Sequence, residues 1–279
     1  MLHESDQRES DRSATTATTA SERSPADGSS RVDASRIHRL RRWNVVAGIF
    51  HAIQGVVMLV LSSNLSLPVS ATFATAQPGQ PLDASRLDTL FTYRLGPAVA
   101  AFSLLSAAFH FLIASPLGFP RYERELRAER NRFRWVEYSL SASLMIVLIA
   151  GITGITDVAA LIALFGVNAS MILFGWLMET TSPAEPASPG HRSSSAASPA
   201  VPWIAIAIYI VGAGSGTPTF VYGIFASIFV LFNCFVNQWL QYRARGRWTD
   251  YVHGERVYVV LSFVAKTLLA WQIFVNVLV

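Results

Sequence analysis

Lysine is almost missing from this sequence. Of its 22 basic residues 21 are arginine, and Lys266 is the sole lysine. Cysteine is as scarce: Cys234 stands alone inside an apolar run, which excludes a disulfide framework and any cysteine-based metal site. Charge of either sign is thin, 14% of 279 residues against about 25% in an ordinary soluble domain. Hydrophobic residues make up 52%, and mean hydropathy is +0.37. These shortages point to a polytopic membrane protein. The net charge of +4 could suggest nucleic acid, but the arginines cluster between apolar runs, which suits an anionic membrane face instead. Membrane lipids are therefore expected partners and nucleic acid is not.

The first 36 residues are polar and contain no apolar core of about 7–15 residues, so they read as a disordered tail rather than a signal peptide. A membrane span needs about 20 mostly apolar residues. Seven stretches are assigned: 43–62, 91–115, 134–155, 158–179, 201–213, 219–241 and 257–278. The fifth is short and runs into GAGSGTP. The prediction is an all-α, seven-transmembrane helix bundle over residues 37–279. Arginines set its direction. Four precede the first span, six lie between spans two and three, one between four and five, and four between six and seven, whereas the opposite face has only Arg86 and Arg94. Positive charge stays inside. The expected placement is a multi-pass cell-membrane protein with its N-terminus cytoplasmic and its C-terminus extracellular. The external connection 63–90 alternates enough around VSATFATA to allow a short hairpin, and the Pro/Ser-rich segment 181–200 reads as a flexible linker.

Lys266 sits in VYVVLSFVAKTLLAWQIF, nine residues from the start of the last span. At ~1.5 Å per residue that is roughly 13 Å deep, too far for easy snorkelling. Two other readings are a structural or transport pair with a carboxylate, and a covalent role. A primary amine condenses with an aldehyde, whereas a guanidinium stays protonated and cannot. The resulting cationic imine needs an anion nearby. Glu137 is the clearest carboxylate within a span, although it can also be read as an interfacial acid paired with Arg134. Its depth in a span starting at Arg134 is shallower than that of Lys266, so the pairing favours a helix that begins earlier. Glu179 and Asp157 read as interfacial. His51, with Gln54 three residues on, and His110 fall at a depth close to that of Lys266 and suggest a polar cavity able to take a proton. Ser262 points the same way as Lys266 from four residues before it. Asn168, Trp135, Met171 and Gln238 complete the candidate binding residues.

RWVEYSLSASLMIVLIAG together with LSFVAKTLLAWQIF resembles the retinal-binding rhodopsins, and heliorhodopsin in particular. The resemblance extends over residues 37–279. It implies all-trans retinal bound to Lys266 as a protonated Schiff base, Glu137 as counter-ion, and His51 and His110 as polar-cavity histidines. It also implies a homodimer whose first external loop meets the partner, and a slow photocycle suited to signalling through an unidentified cytoplasmic partner. Ser262 stands where many microbial rhodopsin pumps carry a second aspartate, and Met and Leu stand where pumps carry a further carboxyl on span three. A light sensor is the leading expectation. A light-driven or light-gated proton or ion transporter of the same fold is the alternative, and a non-photochemical membrane protein is a third reading.

Overall fold

The computed structural model of the chain describes residues 34–73, 87–181, 200–231, 234–243 and 246–278. Apolar runs become helices because, away from water, each backbone N–H and C=O must be satisfied within its own segment. In chain order the helices are α1 (Ala34–Leu61), α2 (Leu95–Ala114), α3 (Phe119–Arg127), α4 (Arg132–Ile152), α5 (Val158–Thr181), α6 (Ala200–Gly212), α7 (Thr219–Leu231), α8 (Cys234–Tyr242) and α9 (Tyr251–Ile273). A π-helical turn, Phe274–Leu278, extends α9. Five of these, α1, α2, α4, α5 and α9, are long and apolar enough to cross a bilayer. Helices α6 and α7 are apolar but have 13 residues each, about 20 Å by helical rise. The predicted span 219–241 is divided between α7 and α8.

Several boundaries differ from the sequence reading. Helix α1 begins at Ala34 because its arginine-bearing turns continue the helix past the apolar run, so residues 34–36 of the expected tail are helical. The rest of that tail, and residues 182–199 of the expected linker, lie outside the described residues. Helix α2 begins at Leu95 rather than 91, since Phe91–Arg94 belong to a strand. Helix α9 starts at Tyr251, where Asp250 caps it by accepting from the backbone N–H of Val252 at 3.1 Å.

The fold is also not purely helical. Strands β1 (Ser66–Ala71) and β2 (Asp88–Arg94) form an antiparallel hairpin, with Ser66 opposite Arg94, Ala71 opposite Asp88 and an irregularity at Val69/Ser70. The expected hairpin around VSATFATA thus takes its second strand from farther along the chain. It is anchored to the α4–α5 turn: the Ser70 N–H donates to Thr156 O at 2.9 Å, and the two hydroxyls lie 2.8 Å apart. Glycine is needed at 151 for this docking, because a Cβ there would come 2.6 Å from the Tyr93 hydroxyl.

Two apolar clusters bracket the interior. At the arginine-rich end, Ile37, Leu40, Ile113, Phe119, Tyr122, Leu126 and Val252 pack together, and burial pushes the Tyr122 phenol up to about 12. Helix α3 turns its apolar side into this cluster and leaves Arg121, Arg124 and Arg127 exposed. At the hairpin end a larger cluster includes Met58, Val99, Met145, Ile149, Ile228 and Leu269. Between them, along α1, α2, α4 and α9, lie the buried polar residues Asn44, His51, Gln54, Ser103, Ser106, Glu137, Ser141, Ser262 and Lys266. Large apolar residues such as Val46, Phe50 and Ile53 face outward. Polar inside and apolar outside is what a hydrocarbon solvent selects.

Candidate functional site

Helices α9 and α4 bring Lys266 and Glu137 together. Lys266 Nζ donates to Glu137 Oε1 at 2.5 Å, with the residues 3% and 5% exposed. A charge so placed needs a partner, because desolvation costs several kcal/mol per ion and removing one member of such a pair typically costs about 3–5 kcal/mol. The same carboxylate oxygen accepts from Ser106 Oγ on α2 at 2.6 Å. The Tyr138 ring on α4 lies 5.1 Å from Lys266 Nζ, within cation–π range, and its hydroxyl donates to Tyr258 O at 2.7 Å. Glu137 and Lys266 meet although they lie at unequal distances from their helix starts, α4 beginning at Arg132 and α9 at Tyr251. Asn131 caps α4, its side-chain oxygen accepting from the Arg134 N–H at 3.1 Å.

His51 and His110 stack with ring centroids 5.7 Å apart and planes 8° apart. His51 also meets the edge of Phe263, three residues before Lys266. Asn44 Nδ2 donates to Leu40 O at 2.9 Å, so its Oδ1 faces His110 Nδ1, 2.8 Å away, as an acceptor. In its neutral form His110 then carries its proton on Nδ1 and presents a lone pair on Nε2. Gln54 donates to Ser103 Oγ at 2.9 Å and Asn168 to Ser143 Oγ at 3.1 Å. Both nitrogens of His51, Ser141 Oγ, Thr267 Oγ1 and Trp176 Nε1 are buried with no hydrogen-bond partner among the described residues. Interior polar atoms of this kind suit a bound group or water.

Arg134 does not pair with Glu137. Its guanidinium bridges two other acids, Glu179 (Nη2 to Oε1, 2.8 Å) and Glu255. Glu179 also accepts from the Asn131 N–H (3.0 Å), Trp135 Nε1 (2.6 Å) and Tyr251 OH (2.9 Å). Asn131 Nδ2 donates to Glu255 at 2.7 Å, and the guanidinium lies 4.0 Å from the Tyr258 ring centroid. Glu179, read as a simple interfacial acid, is the hub of this network.

Of the residues expected from sequence, Lys266, Glu137, His51, Gln54 and Ser262 share the buried polar layer, and half-buried His110 stacks on His51. Asn168 is buried against α4. Trp135 and Met171 join Ala142, Ile172, Tyr138 and Trp176 in an apolar wall on α4 and α5. The side chain of Gln238 lies outside the described residues. Sequence reasoning missed Ser106, Asn44 and Glu255. A helical-spacing signal existed for each: Ser106 is four residues before His110, Asn44 seven before His51, and Glu255 eleven before Lys266.

Comparison with known proteins gives one family. The family model described as Heliorhodopsin matches residues 40–278. No curated protein matches the chain.

Proposed function

Because the chain belongs to the heliorhodopsin family, we propose that it senses light through all-trans retinal joined to Lys266 as a protonated Schiff base, with Glu137 as counter-ion. The observation that carries this reading is the 2.5 Å contact between two buried residues, the chain's only side-chain primary amine and a carboxylate. Retinal supplies visible absorption and light-driven isomerisation. The residues around the amine do the rest. Glu137 holds positive charge at Nζ, and Ser106 orients the carboxylate by donating to Oε1. His110 Nε2, fixed as a lone pair by Asn44, is the base placed to take the proton, and stacked His51 extends the acceptor. Trp135, Tyr138, Met171 and Trp176 offer a flat apolar wall that limits water.

Signalling is favoured over pumping by what stands near the pair. Serine occupies position 262, and the buried part of α4 beyond Glu137 carries serines and aliphatics with no second acid. The histidine stack beside a Lys–Glu pair favours a second reading, a proton transporter of the same fold. We further infer seven crossings, with α6 and the α7–α8 pair completing the bundle, a cytoplasmic N-terminus supported by the arginine distribution, a homodimer, and a cytoplasmic partner.

The test adds all-trans retinal to the expressed protein. A visible band should form with the wild type and be absent with Lys266→Arg. A band of equal strength in Lys266→Arg would refute the assignment. Sustained illumination of vesicles should leave pH unchanged; a lasting pH gradient would move the function to the transporter reading.

A further inference from the structure

At the arginine-rich end, a cavity of about 420 Å³ opens between α1 and the end of α2, lined by His38, Arg41, Arg42, Val45 and Ala114. Spacings of three, four and seven residues put the four α1 side chains on one stripe. Arg41 is held in place: its Nε donates to Ala114 O at 2.8 Å, and its guanidinium lies 4.5 Å from the Phe119 ring centroid. His38 packs on the same ring at 5.3 Å. That anchorage uses Nε and leaves the terminal amino groups as the remaining donors. Four arginines at this end have acids: Arg36 pairs with Asp250, Arg127 with Glu123, Arg132 with Glu125, and Arg134 with Glu179 and Glu255. Arg41 and Arg42 have no carboxylate partner among the described residues, and the cavity wall contains no acid.

The surface just beyond the cavity changes character. Val45 and Ile49 continue the stripe as exposed apolar side chains, and Phe111 and Leu112 of α2 are exposed beside them. Gly48 permits this joint face, since a Cβ there would meet the Phe111 ring at 3.0 Å. Exposed Trp43, in the same stretch of α1, marks the level of the headgroups. A pair of guanidiniums above an apolar groove at the membrane surface matches one kind of molecule, with phosphate at one end and hydrocarbon at the other. We propose that this cavity binds an anionic glycerophospholipid, its phosphate between Arg41 and Arg42 and an acyl chain along the α1–α2 groove. The inference rests on the chain spanning a membrane and is independent of retinal.

The test is native mass spectrometry of the purified full chain after exchange into phosphatidylglycerol or phosphatidylcholine with identical acyl chains. The wild type should retain one phosphatidylglycerol with a preference of about tenfold or more. Arg41→Gln with Arg42→Gln should abolish the preference, whereas Arg39→Gln, an exposed arginine outside the cavity, should keep it. Millimolar inorganic phosphate should not displace the lipid. Val45→Trp, which fills the cavity and keeps both arginines, should also lose retention and covers the case in which the double variant fails to fold. Equal retention by wild type and the double variant or Val45→Trp, equal loss in Arg39→Gln, or displacement by inorganic phosphate would overturn the proposal. Every arm is read without a chromophore, so its failure is distinct from failure of the light-sensing assignment.

Discussion

At the scale of single residues, a lysine at the centre of a span costs about 2.5–3.5 kcal/mol, and Glu137 is the group that offsets it here. Replacing Glu137 with Gln removes the anion and keeps the shape. The retinal-reconstituted variant should absorb at longer wavelength, because positive charge spreads farther along the polyene. Its visible band should also be lost at a pH lower than in the wild type by roughly 1–3 units, since an opposite charge nearby favours the protonated nitrogen. A pH titration of the spectrum checks both effects. Replacing His51 and His110 together with Ala should slow the proton-transfer phase after a flash by on the order of 10²-fold, read by time-resolved absorption, while the resting band still forms. The four residues these experiments rely on were legible in the sequence because a charged or titratable group stands out in an apolar run. Ser106 and Asn44 were not. Both are small polar residues of a kind frequent on helix–helix faces, and only the fold shows that one reaches the carboxylate and the other fixes an imidazole tautomer.

At the scale of elements, the Arg134 network ties the start of α4 to the end of α5 and the start of α9. It holds two acids on one guanidinium, so Arg134→Ala leaves both buried without their cation. The expected loss is about 3–5 kcal/mol or more, measured as a lowered midpoint of thermal or denaturant unfolding. Glu255→Gln should cost less, because Asn131 and Arg134 remain near a neutral side chain of the same shape. The arginine richness of this stretch was visible in the sequence, and pairing Arg134 with Glu137 was a reasonable local alternative. A three-helix assembly overrode it, because Glu179 and Glu255 come from 45 residues later and beyond. The start of α2 misled for a different reason: the aromatics Phe91 and Tyr93 stand just before the apolar run that opens at Leu95, and sequence alone does not distinguish a docked strand there from a helical turn.

At the scale of the whole molecule, the asymmetry of arginine was the most legible feature, and it yields a direct test of direction. In a Cys234→Ala background, cysteine placed at Leu87 near the hairpin should react with a membrane-impermeant maleimide on intact cells. Cysteine placed at Arg127 on α3 should react only after permeabilisation. The reverse pattern would invert the chain. The short helices were partly legible: the expected 201–213 matches α6, but the division of 219–241 between α7 and α8 leaves no mark in an apolar run. The confinement of the only lysine to the interior, 3% exposed, has a further outcome for the cell and the bench. The outer surface carries no side-chain ammonium, so ubiquitin ligases, acetyltransferases and succinimidyl dyes find no lysine there to modify. Borohydride trapping of an aldehyde on this protein's side chains would mark one position and nothing else.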